Sequence, residues 1–253
     1  MSKRLALLVG MTEYPDERLA ATATNAQIRA LVDWLRDPGN GRFDRVVPLL
    51  NQTAVDLQLG VASFFEQELA PDDLILFYFA GHSLIHHQNI YLATADTFTE
   101  EYLDATTVEI DFLRRRLNAA LAQQIVLLDC GFSLIGATDR HTPGMTRLAE
   151  GLAAENRAVL AGPGLTPALA AGLQGGAESS QAGVITVADL SRFVEASLPE
   201  QTPFASIISP TMDAFPLISG AQAPRRRPLR RRPRQPPSPK AAARNDGVMV
   251  WRR

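Results

Sequence analysis

Apolar residues fall along this chain in two alternating patterns. Short apolar runs occur within Leu5–Gly10, Leu74–Phe79, Gln124–Cys130 and Arg157–Ala161, each bounded by polar or turn residues. Such runs predict strands buried on both faces, as in a parallel sheet. Between them the apolar positions recur every three or four residues: Ile28, Leu31, Val32 and Leu35; Leu57, Val61, Phe64, Phe65 and Leu69; Ile110, Leu113, Leu117 and Leu121. That period predicts helices over Asn25–Leu35, Val55–Leu69 and Val108–Leu121. Asp37-Pro38-Gly39 ends the first of these, and Thr53 caps the second. Arg45–Leu50 reads as a second strand, and Pro48 places it at a sheet edge. Ile90–Leu92 reads as a small strand or hairpin arm. Thr186 and Asp189 have the spacing of a capping box, starting a helix that ends at Leu198 before Pro199. Strand–helix alternation from Leu5 to Ala161 predicts an α/β fold: three layers, α/β/α, around a mostly parallel sheet.

The 253 residues, 46% of them hydrophobic, suffice for one sizeable core. No apolar run approaches the length of a membrane span, and Leu5–Val9 is too short for the apolar region of a secretory leader. A soluble cytoplasmic protein with no membrane association is the expectation. Cys130 is the only cysteine, so no intrachain disulfide forms. There is no Gly-x-Gly-x-x-Gly after the first strand and no Walker A sequence, so a nucleotide site lacks its phosphate cradle. His86 and His87 have no further ligands at metal-binding spacing. Neither a metal nor a cofactor is expected. No internal repeat is present.

The net charge of −2 hides a sharp asymmetry. From Ser219 onward 11 Lys and Arg face one acid, Asp246, so the preceding 218 residues carry a net −12. Proline and repelling arginines after Pro224 predict a disordered tail over 219–253, following a folded domain over 4–218. The clustered arginines make this tail a candidate for salt-dependent, nonspecific contact with an acidic partner or nucleic acid. It carries no aromatic residues interleaved for base stacking.

Candidate chemistry gathers at two strands. Tyr78-Phe79-Ala80-Gly81-His82-Ser83 puts a histidine in a Gly-His turn at the carboxyl end of the central strand, where sites form in open α/β sheets. Leu127-Leu128-Asp129-Cys130-Gly131-Phe132-Ser133 ends another. This pair resembles the caspase-like cysteine peptidases (peptidase C14), especially bacterial metacaspase-type and effector-associated caspase-like domains. Their first strand ends Tyr-Phe-Ser-Gly-His-Gly and their second Asp-x-Cys-His/Tyr-Ser-Gly. His82 and Cys130 lie 48 residues apart, near the roughly 50 of caspases. Leu7–Gly10 with Tyr14, Asp37-Pro38, Asp73, Tyr91–Asp96 and Gln201–Pro203 extend the likeness over about residues 4–205. The segment after Gly162 is shorter than in the family, where it shapes the substrate pocket.

The resemblance implies a cysteine endopeptidase with a Cys-His dyad, acting on a peptide or protein. It also assigns Asp129 to the pocket that accepts Arg or Lys. A second pocket acid, usual in an Asn-Asp pair, is replaced in Asn25-Ala26. The nucleophile itself is out of place. Aligned on Asp129, the family cysteine falls on Gly131, and Cys130 stands one residue early. Side chains alternate faces along a strand, so that shift points the thiol away from the nucleophile's face. Two readings follow. In the leading one the chain is a pseudo-protease, keeping His82, lacking the nucleophile at Gly131, and binding a peptide or partner protein. In the alternative it is an active endopeptidase cleaving after Arg or Lys, with His82 and Cys130 as the dyad and Asp129 in the pocket.

Overall fold

A computed structural model describes residues 2–99, 102–134, 144–177 and 184–219. The tail expected to be disordered lies, from residue 220 on, outside the described residues.

Six strands form the main path of one sheet. In chain order they are β1 (Arg4–Gly10), β2 (Arg45–Leu50), β3 (Leu74–His86), β6 (Gln123–Leu134), β7 (Arg157–Gly162) and β9 (Ala205–Ile208). Their spatial order is β2-β1-β3-β6-β7-β9. Every pairing on this path is parallel except β7 with β9. Pro48 sits in the edge strand β2, where its missing N–H removes no ladder bond on the open side.

The sheet separates two apolar layers. One contains Phe77, Phe79, Val126, Leu128 and Cys130, covered by α2 (Ala54–Phe65), α3 (Ile110–Ala119) and α4 (Gly144–Leu152). The other contains Leu76, Tyr78, Ala80, Ile125 and Leu127, covered by α1 (Asn25–Arg36), α5 (Leu165–Ala171) and α6 (Val187–Ser197). Even and odd positions of each strand thus go to different layers, as the pleat requires. The architecture is the expected α/β/α sandwich with a mostly parallel sheet. Its helix starts follow from local chemistry. Thr24 with Gln27 and Thr186 with Asp189 form capping boxes, and Thr53 accepts from the Asp56 amide.

Three boundaries differ from the sequence reading. Val108 and Glu109 belong to the short strand β5 (Thr107–Glu109), not to α3, because they pair with β4 (Asn89–Ala93). The helix expected to reach Leu69 stops at Phe65. The largest difference lies at the center. Gly81-His82 is not a turn: β3 runs 13 residues, and its far half pairs with β4 on one side and with β6 on the other. Likewise β6 continues through Gly131 to Leu134. Two long strands paired side by side satisfy each other's backbone groups past the point where composition suggests a stop. Segments β8 (Val184–Thr186) and β10 (Pro216–Ser219) form a separate two-stranded sheet. The last helix, α7 (Pro210–Asp213), is a single turn.

Candidate active site

The parallel ladder between β3 and β6 fixes which residues meet. Its register pairs Gly81 with Cys130, His82 with Gly131 and Leu84 with Ser133. Paired residues share a sheet face, so His82, Asp129, Gly131 and Ser133 lie on the α1/α5 side. Cys130 lies on the opposite side, fully buried among Phe79, Leu128 and the residues of α4. His82 and Gly131 are therefore brought together, and His82 and Cys130 are not. A Cβ on Gly131 would stand 3.5 Å from His82 Nδ1 and 3.6 Å from Cε1, ordinary contact distances.

Burial pushes the Cys130 thiol up to about 12, with the Ser83 hydroxyl giving a smaller opposing effect. At neutral pH roughly one such thiol in 10⁵ is ionised, and the thiolate is the reactive form. Cys130 thus sits in the layer opposite His82, in surroundings that disfavour its thiolate.

The loop between β1 and α1 holds the histidine. Its Tyr14 hydroxyl accepts from the His82 backbone N–H at 2.8 Å. Gly81 permits this approach, since a Cβ there would come within 2.7 Å of the Tyr14 oxygen. From the same loop the Ala20 carbonyl lies 3.4 Å from His82 Nδ1. On the other side of the ring, His82 Nε2 meets Ser133 Oγ at 2.8 Å. Burial lowers the imidazole's pKa, the Ala20 carbonyl opposing this more weakly, so the neutral ring is favoured. With Nδ1–H directed at Ala20, Nε2 is left to accept from Ser133.

Asp16 anchors the loop. Its carboxylate accepts from Arg18 and from both the backbone and hydroxyl of Thr99. These bonds, Arg18 first, hold its pKa well below the usual carboxylate range. Thr22 Oγ1 donates to the Asp129 carbonyl at 2.6 Å, tying the loop directly to β6.

The Asp129 side chain is fully buried and engaged. One oxygen accepts from Gly164 N at 2.7 Å; the other accepts from Thr166 N at 2.8 Å and from the Thr166 hydroxyl. The carboxylate thus receives the free N–H groups at the start of α5. Burial raises its pKa, and the hydrogen bonds from Thr166, Gly164 and Leu165 oppose the rise. Sequence reasoning placed Asp129 at the site but missed Ser133, Ala20 and Tyr14 as neighbours of His82. Tyr14 and Ser133 carried a signal, both through the family resemblance, Ser133 by falling on the serine of the second motif; Ala20 carried none.

The rings of His86 and His87 touch in the β3–β4 hairpin, centroids 4.0 Å apart and tilted by 57°. Among the described residues, no three His, Cys, Asp or Glu side chains gather as metal ligands, and no helix is long and apolar enough to cross a membrane.

Comparison with known proteins bears on the fold and the family. The protein GSU0716 from Geobacter sulfurreducens superposes with a TM-score of 0.57 at 12% identity, over 81% of this chain and 92% of that one. Caspase-1 from Spodoptera frugiperda gives 0.49 at 14% identity, over 81% and 87%. These likenesses concern the fold. No functionally curated protein matches the sequence. The sequence model of the caspase domain, peptidase C14, matches residues 3–235, nearly the whole chain. The chain therefore belongs to the caspase-domain family.

Proposed function

We propose that this caspase-domain protein has lost the family's thiol nucleophile and works by binding a peptide or partner protein. The observation that carries this reading is the ladder register: the residue opposite His82 is Gly131, which has no side chain, and the only thiol faces the other layer. Catalysis by a Cys-His pair needs sulfur and imidazole near hydrogen-bond reach. Here the sheet itself stands between them. A one-residue move within a paired strand cannot bring Cys130 round without breaking the β3–β6 ladder.

The test is cleavage of Arg- and Lys-terminated fluorogenic peptides by wild type and Cys130→Ala, with and without calcium. The expected result is no thiol-dependent cleavage by either. Cleavage by wild type that Cys130→Ala abolishes overturns the reading in favour of an active endopeptidase. Binding is read separately, by anisotropy with labelled Arg/Lys peptides. The Arg/Pro-rich tail is proposed to add a nonspecific electrostatic contact with nucleic acid. Truncation before Ser219 should remove binding that weakens steeply with salt; absence of a salt slope refutes that contact.

A further inference from the structure

We propose that Ser133 is a nucleophile paired with His82, giving the site serine-type acyl-transfer chemistry toward carboxylic esters. This rests on the reading that Gly131 has vacated the thiol position, and adds a covalent step to a site otherwise assigned only to binding.

The geometry has the three parts such chemistry needs: a nucleophile within hydrogen-bond reach of a base, the base oriented by a third group, and access. Ser133 Oγ is 2.8 Å from His82 Nε2. The Ala20 carbonyl on Nδ1, at 3.4 Å, selects the tautomer that leaves Nε2 free to take a proton. Ser133 and Gly131 are both partly exposed, whereas His82 is nearly covered. The pair is built by regular structure. Ser133 lies two residues beyond Gly131 on the same strand, so the pleat returns its side chain to the His82 face. The two strands that carry the pair are hydrogen-bonded to each other from Leu74–Gln123 to Ile85–Leu134.

The step balances as follows. Ser133 Oγ bonds to the ester carbonyl carbon while its proton passes to His82 Nε2. Collapse of the tetrahedral intermediate breaks the carbon–oxygen bond of the ester, and the departing alcohol takes that proton. A solvent water then attacks the acyl-serine, again giving a proton to His82, which returns it to Ser133 as the acid leaves. Esters rather than amides fit the orienting group. A neutral carbonyl stabilises the imidazolium less than a carboxylate would, and an alcohol needs less assistance to leave than an amine. Asp129, the carboxylate on this face, is already committed to the start of α5.

The test is labelling of the full chain with a fluorophosphonate probe, with the site mapped by peptide mass, alongside hydrolysis of p-nitrophenyl acetate. Wild type should form one adduct, on Ser133. Ser133→Ala should lose it, and His82→Ala should slow labelling about 100-fold or more. The labelling rate should rise with pH through a midpoint below that of an ordinary histidine. Ser133→Cys guards against a folding failure. It should transfer the reactivity to iodoacetamide in a His82-dependent way. No adduct on folded wild type, an adduct elsewhere, or equal labelling in His82→Ala overturns the proposal. These failures leave the binding reading intact. That reading falls instead to thiol-dependent cleavage lost in Cys130→Ala.

Discussion

Replacing Gly131 by cysteine would place a thiol where the β3–β6 register puts the residue facing His82. The added Cβ meets nothing closer than 3.5 Å, and Gly131 is not among the glycines with positive φ, so an L side chain fits without strain. One bond further out, a sulfur rotated toward the ring comes to roughly the 3–3.5 Å of a near-attack arrangement. Removing a strand glycine also lowers the entropy of the unfolded chain, so stability should hold or rise by about 0.5–1 kcal/mol. Cys130 serves as an internal reference: fully buried, with its thiol pushed up to about 12, it stays unmodified in the native protein. The first assay is iodoacetamide alkylation of Gly131→Cys, read by intact mass. The variant should gain one fast-reacting thiol, and adding His82→Ala should slow that reaction, because the thiolate loses the imidazole that accepts its proton. The second is cleavage of Arg- and Lys-ending peptides, expected to rise about 10²-fold or more above wild type and to need His82. A folded Gly131→Cys that alkylates at the same rate with or without His82 refutes the placement of position 131 beside the imidazole. Alkylation that depends on His82 without cleavage would instead locate the deficit in the substrate pocket.

Two further outcomes test the surroundings of the site. Asp129→Ala leaves the Gly164 and Thr166 N–H groups without their buried acceptor, so unfolding in urea should show a loss of about 2–4 kcal/mol. Asp129→Asn, which keeps an acceptor oxygen, should recover part of it; equal stability of wild type and Asp129→Ala refutes the capping role. Asp16 is an acid whose folded-state pKa is depressed by Arg18 and Thr99. Its contribution is therefore fully present above the unfolded carboxylate value, about 3.9, and is lost as pH falls below it. The urea midpoint of wild type should fall more steeply below pH 4 than that of Asp16→Asn, and parallel curves would refute the assignment.

The fold was legible in the sequence because its signals are local and redundant. The apolar runs at Leu5–Gly10, Leu74–Phe79 and Arg157–Ala161 are too short and too uniformly apolar for surface helices. The three- and four-residue spacing of Ile28–Leu35 and Leu57–Phe64 admits only one buried face. Pro48 marked its strand as an edge. Half of the site was legible too. Asp129 stands one residue before the only thiol, and pleat alternation already separates Cys130 from position 131. The remaining uncertainty was where each strand ended. Gly81-His82-Ser83 has the composition of a turn, and nothing in it shows that β4 and β6 will pair with the segment and carry it on as strand to His86. Strand length beyond the apolar run is set by partners distant in sequence, so only the assembled sheet decided it. The same holds for Ser133. In the chain it falls on the serine of the family motif, but nothing local sets it against His82. It meets His82, 51 residues away, because the register is continuous through Gly131, and its base is oriented by a carbonyl from the β1–α1 loop. The sequence determined which residues were available on the His82 face. Which of them touch the imidazole depends on ladder register and loop placement, and both are properties of the folded sheet.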